Sequence, residues 1–137
     1  MKRFEFTVSG RPKGKGRPRM NRKTGQVYTP PATRAYESEI RQAFLRQGGE
    51  SFGGAPVMVE VEALFPMPQS WGKKDRAERD GTYCENKPDL DNIAKVALDA
   101  LNSVAWTDDK TVAVLIAQKR WTAGAGGVKV TITDLTV

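Results

Sequence analysis

The chain has 137 residues, of which 39% are hydrophobic and 28% charged, with a formal net charge of +6. That length is one domain's worth and buries a core without covalent staples, and the positive excess favours anionic partners such as nucleic acid. Cys84 is the only cysteine, which excludes an internal disulfide; there is no histidine, which excludes a histidine general base and histidine-held zinc, so any metal must be held by oxygen. No apolar run reaches membrane-spanning length and Met1 to Phe6 carries no signal-peptide core, so the expectation is a cytoplasmic protein without a membrane partner.

Residues 2–9 alternate, with Phe4, Phe6 and Val8 on one face and Glu5 and Thr7 on the other, which predicts a half-buried strand. Ser9 to Lys23 is rich in glycine, proline and base and holds no acid, so it reads as a mobile basic loop. Two readings of it stay open. It is a solvated loop that aids solubility, or it contacts phosphates through Arg11, Lys13, Lys15, Arg17 and Arg19, with glycine allowing close backbone approach. The Gly-x-x-x-x-Gly-Lys-Ser/Thr pattern of a nucleotide phosphate loop is absent.

Gly25 to Thr29 reads as a short strand or hairpin return. Thr29-Pro30-Pro31 marks a helix start, and Tyr36, Ile40, Ala43 and Phe44 keep helical spacing to about Gln47, before Gly48 and Gly49 end it. Tyr36 and Phe44 belong to its core stripe rather than to a base-stacking platform. Pro56 to Pro66 predicts a strand, with Val57, Val59, Val61 and Ala63 alternating against Met58, Glu60, Glu62 and Leu64. Residues 69–86 form a polar surface insertion with one helical turn around Lys73–Arg79; Cys84 within it has neither a partner nor metal-ligand spacing.

A helix from Ile93 to Asn102 follows, with Leu90, Ile93, Ala94, Val96, Ala97, Leu98 and Leu101 as its apolar positions and Asn102 as a left-handed stop. Thr111 to Trp121 and Val128 to Leu135 are strands joined through a turn at Gly124 to Gly127, and they are expected to form a hairpin. The elements add up to a single α+β domain over residues 1–137. Its sheet is mixed, mostly antiparallel, of about four strands, with two main helices packed on it.

Lys87 to Asp109 carries the chemistry. Asp89 and Asp91 are two apart, so they share no face within a helix, but they converge if Asp89 still lies in extended chain. Pro88 disfavours helix at Lys87, which places the entry there. One aspartate at this point reads as an N-cap; a second is surplus to capping. Asp91, Lys95 and Asp99 form an i, i+4, i+8 stripe, and two readings remain open: a surface ion pair, or a lysine beside a carboxylate cluster and aimed at a phosphate. Asp108-Asp109 alone is an ordinary turn. The intervening helix is on the order of 17 Å long, so this pair reaches the first only if the chain runs back along the helix or a second copy supplies it. Carboxylates gathered in a basic protein point to a magnesium site that meets a polyanion.

The block Lys87-Pro-Asp-Leu-Asp-Asn-Ile-Ala-Lys-Val-Ala-Leu-Asp-Ala-Leu-Asn, followed by Val-Ala-Trp-Thr-Asp-Asp, resembles the signature of the RusA family of Holliday junction resolvases, most closely its phage and prophage members. The likeness extends to Gly-Arg-Pro-Lys-Gly-Lys-Gly-Arg-Pro-Arg near the start, to Tyr28-Thr-Pro, and to Ser70-Trp-Gly-Lys-Lys. The resemblance implies a small α+β homodimer that cuts four-way DNA junctions by paired nicks with magnesium, for which manganese substitutes. It implies Asp89, Asp91 and Asp109 as metal-holding catalytic acids, Lys95 as the catalytic lysine, and supporting roles for Asn92 and Asp99. Lys73 and Lys74 of the insertion join the basic loop as expected DNA contacts. No nucleotide cofactor is implied.

Overall fold

The strand from Val57 to Pro66 organises the sheet, because every second residue of it is apolar and needs cover. In the computed structural model, which describes residues 2–137, Val57, Val59, Val61, Ala63 and Phe65 are each at most 1% exposed. The sheet consists of β1 (Arg3–Ser9), β4 (Val57–Pro66), β5 (Val112–Thr122) and β6 (Gly127–Asp134), in the order β1-β6-β4-β5. β6 is antiparallel to both β1 and β4, whereas β5 runs parallel to β4. Two short strands, β2 (Arg19–Met20) and β3 (Val27–Tyr28), form a separate antiparallel ribbon.

Helices α1 (Pro31–Arg46) and α3 (Leu90–Leu101) supply the cover, while α2 (Lys73–Arg79) in the insertion buries none of its residues. Tyr36, Ile40 and Phe44 of α1 and Ile93, Val96, Ala97 and Leu101 of α3 join the buried face of β4 in one core cluster. This is the mixed α+β sheet with two main helices that the periodicities predict. Burying a side chain of this size is worth about 1.5–3 kcal/mol, so one continuous cluster suffices for a chain with no disulfide.

Three expectations need correction. β5 and β6 are not a hairpin: β4 lies between them. The connection after β5 instead crosses the end of β4, and it passes so close that a side chain at Gly126 would meet the Leu64 carbonyl at 2.7 Å. Local turn signals give the chain reversal but not which strand fills the gap; the most apolar strand took the centre, with α3 as the crossover that a parallel β4–β5 pair requires. Asn102 is not the left-handed stop; the positive φ falls on Ser103, at 68°. The basic loop is not loose. It contains β2 and is tied down at three consecutive residues, described next.

Candidate functional site

At the start of α3, Asp89 occupies the N-cap position in extended conformation, with φ −64° and ψ 144°, but its side chain makes no capping hydrogen bond. Its own carbonyl takes the N–H groups of Asn92 and Ile93 at 3.1 and 3.2 Å. Both carboxylate oxygens are therefore left for another purpose. Asp91 lies in the first turn, and both acids are exposed. Among the described residues the ion pairs are Lys15 with Glu37 and with Asp99, Arg79 with Glu85, and Lys129 with Glu5, so Asp89, Asp91, Lys95 and Asp109 are all unpaired. The helix-surface pair between Asp91 and Lys95 does not form. The segment leading into Asp89 is held from the sheet, where the Lys119 ammonium of β5 donates to the Pro88 carbonyl at 2.9 Å and also to that of Asn86.

The basic loop is strapped across this helix start. Gly14 packs so tightly that an added Cβ would lie 3.0 Å from the Pro88 side chain and 3.1 Å from that of Asn92. The Lys15 N–H donates to the Asn92 carbonyl at 2.9 Å, and the Gly16 N–H donates to the Thr33 hydroxyl of α1 at 3.1 Å. The Lys15 ammonium bridges Glu37 of α1 and Asp99 of α3, each at 3.1 Å. Burial opposes this charge, but the hydrogen bonds and charges of Asp99 and Glu37 outweigh it and hold the Lys15 pKa above the ordinary lysine value. Lys15 thus spends its charge inside the protein. Arg17, two residues on, is exposed and lines one depression with Lys87, Pro88, Asp89 and Asn92.

The second acidic pair divides. Asp108 caps the 3-10 turn Asp109–Thr111, accepting the Lys110 N–H at 3.1 Å. Asp109 accepts the indole N–H of the fully buried Trp106 at 2.7 Å, which leaves its other oxygen free and its orientation fixed. Among the described residues no three acidic or other ligating side chains are gathered closely enough to form a ready-made metal cage. Asp109 is therefore not brought into a closed set with Asp89 and Asp91.

Lys95, Lys13, Arg11, Arg19, Lys73 and Lys74 are all exposed. The Arg11 guanidinium lies over the Phe65 ring and the Lys13 ammonium over the Tyr36 ring, at 5.6 and 5.5 Å from the centroids, so core aromatics help to place both charges. Sequence reasoning missed four supports: Thr33 and Glu37 on α1, Trp106, and Lys119. It also passed over Arg34 and Arg41, which with Thr29 and Ser38 line a polar concavity on α1. Only Trp106, three residues before Asp109, carried a local signal, since a buried indole seeks an acceptor.

Free carboxylates at a helix start beside a clamped basic strap have the chemistry to meet a cation and a polyanion, and that chemistry does not by itself name a family. The comparisons supply the family. The model of the family Endodeoxyribonuclease RusA matches residues 9–133, and the chain belongs to that family. It is therefore a member of a nuclease family, the one the Asp-Leu-Asp-Asn block resembles. The chain is also similar to the uncharacterized protein YqaN of Bacillus subtilis (strain 168), 32% identical over 122 residues that span 85% of this chain and 86% of YqaN. No helix among the described residues is long and apolar enough to cross a membrane.

Proposed function

We propose that this chain is a magnesium-dependent endonuclease that resolves four-way DNA junctions by paired symmetric nicks, and that it acts as a homodimer. The observation that carries the reading is the start of α3: two carboxylates two residues apart, neither used for capping nor paired, beneath a strap that sets Arg17 beside Asp89. The nearby acids with a structural task, Glu37 and Asp99, are both paired with Lys15.

The donor set fits the cation. Magnesium takes one or two carboxylates and keeps several waters, so Asp89 and Asp91 suffice without a closed cage, and Asp109, its free oxygen oriented by the bond from Trp106, is the third acid that would hold the ion. When bound, such an ion lowers the pKa of its water and relieves charge on the phosphate. The chain's own groups do the rest. Arg17 and Lys87 seat the phosphate and Arg11, Lys13, Arg19, Lys73 and Lys74 hold the junction arms without reading sequence. Lys95, one helical turn beyond Asp91, faces solvent and offsets charge that develops on the phosphate. Lys15 does not contact DNA in this reading; it anchors the strap. Asn92 and Asp99 serve as its moorings.

The test is cleavage of a synthetic four-way junction in magnesium, with linear duplex, flap and RNA controls. Paired, ligatable nicks restricted to the junction support the reading. Tight binding with no cutting in magnesium or manganese would make the chain a branched-DNA-binding accessory protein instead. Cutting of every branched substrate would remove the junction specificity.

A further inference from the structure

The two edges of the sheet are finished differently. β1 presents Arg3, Glu5 and Thr7 between its buried residues, and Glu5 is paired with Lys129 at 2.7 Å. The outer edge of β5 is covered only at its far end, by the last part of the insertion. There the Cys84 N–H donates to the Lys119 carbonyl, the Trp121 N–H to the Thr82 carbonyl, and the Gly81 N–H to the Trp121 carbonyl, at 3.0, 2.8 and 2.9 Å. No strand among the described residues pairs with the outer side of residues 112–117.

That open stretch is apolar on both faces. Leu115 pairs with Val59 and shares the core side, yet it is 43% exposed; Val114 and Ile116, on the opposite side, are 40% and 45% exposed. Its backbone is available as well. Lys119 and Trp121 turn their polar groups outward, and with a period of two Leu115 and Ala117 do the same. Exposed edges are ordinarily blunted by charge, proline or a covering segment. Val112 to Ala117 holds no charged residue and no proline.

We infer that residues 112–117 are the face on which a second copy of this chain docks, by antiparallel pairing of β5 with β5, so that two four-stranded sheets become one. Charge selects this occupant and this direction. The stretch is preceded by Asp108, Asp109 and Lys110, which together are net acidic, and followed by Lys119 and Arg120. Antiparallel self-pairing sets the acidic start of each strand toward the basic end of the other, whereas parallel pairing would set like against like. A two-fold contact of this kind is self-complementary and closes after two copies. Its length is limited at both ends, by the 3-10 turn at Asp109–Thr111 and by the covering residues 81–84. The inference goes beyond the homodimer of the proposed function by naming its face. It is tested without DNA, so it and the nuclease reading fail separately.

The experiment is sedimentation velocity over a range of concentrations, comparing the full chain with Leu115→Lys and Leu115→Pro. Proline at this position removes an outward N–H and no bond to β4. The wild type is expected to sediment as a dimer. The lysine variant should dimerise about a hundred-fold more weakly, because two lysines then meet near the axis, with an unchanged far-UV spectrum. A wild type that stays monomeric, or folded variants that remain dimeric, would overturn the proposal. Hydrogen exchange on the wild type needs no variant: Leu115 and Ala117 amides should gain protection with rising protein concentration, and fast exchange at every concentration would equally overturn it.

Discussion

Asp89-Leu-Asp91 and Asp108-Asp109 both sit where the chain turns into a helix, and capping rules give them the same ordinary reading. The structure separates them. Asp108 is consumed by its turn, its side chain taking the Lys110 N–H and its carbonyl the Thr111 hydroxyl at 2.9 Å. Asp109 is steered by Trp106. Asp89 occupies a cap position without acting as a cap, and Asp91 has no partner at all. A residue's place at a helix end thus does not determine what its carboxylate does; the direction of the side chain does. The free pair and the steered Asp109 are the ones to test as chemistry, and Asp108 as architecture.

The sharpest break of that comparison is removal of the free charges. Asp91→Asn and Asp89→Asn are each expected to lower junction cleavage by more than about a hundred-fold, beyond the 10–100-fold typical of groups that only support a metal ligand. Junction binding and the melting temperature should hold. Substitutions that cut normally would return both acids to the solvated surface.

Next in size is the Trp106–Asp109 bond. Trp106→Phe keeps an aromatic ring in the core but releases the Asp109 oxygen. Cleavage should fall by about ten-fold or more and stability by about 1–3 kcal/mol. Asp109→Asn should cost cleavage alone. Equal losses in both properties for the two variants would mean that Asp109 is structural, like its neighbour.

The strap offers a third contrast. Lys15→Met leaves Glu37 and Asp99 facing each other without their cation, and unfolding should come easier by about 2 kcal/mol. Arg17→Ala should leave stability alone and lower the salt dependence of junction binding by about one phosphate contact. The Lys15 pKa is raised above its ordinary value of 10.5, so its contribution is complete below the unfolded-state value and fades as pH climbs through the folded one. A denaturant series above pH 10 should show a steeper alkaline loss in the wild type than in Lys15→Met. The smallest effect belongs to Asp108→Ala, about 1 kcal/mol from a lost cap, with cleavage kept within a few-fold.

The edge strands extend the same lesson. Alternation in Arg3–Ser9 was legible because one face is buried and the other wet, which is the condition that makes a period of two visible. Val112 to Ala117 is almost uninterrupted in its apolar character, and such a run is read equally well as a central strand or as an interface. The structure places it at an edge, beside β4, a consequence of how α3 crosses over. The same ambiguity explains the failed hairpin: turn residues at Gly124 to Gly127 announce a reversal, but sheet order depends on which strand most needs cover on both sides.

By itself the sequence determined the element types, the core stripes of α1 and α3, the extended entry at Pro88 and the acid–lysine block that marks the family. All of these depend on contacts between residues close in the chain, where spacing dictates geometry. Tertiary structure alone decided that Lys15 is half-buried and paired with both Glu37 and Asp99, that Asp89 is left free while Asp108 is used, and that β4 separates β5 from β6. Those outcomes turn on charges and strands brought together from distant parts of the chain. A lysine reads the same in a basic loop whether its ammonium meets water, a phosphate or two carboxylates, until the fold sets its neighbours.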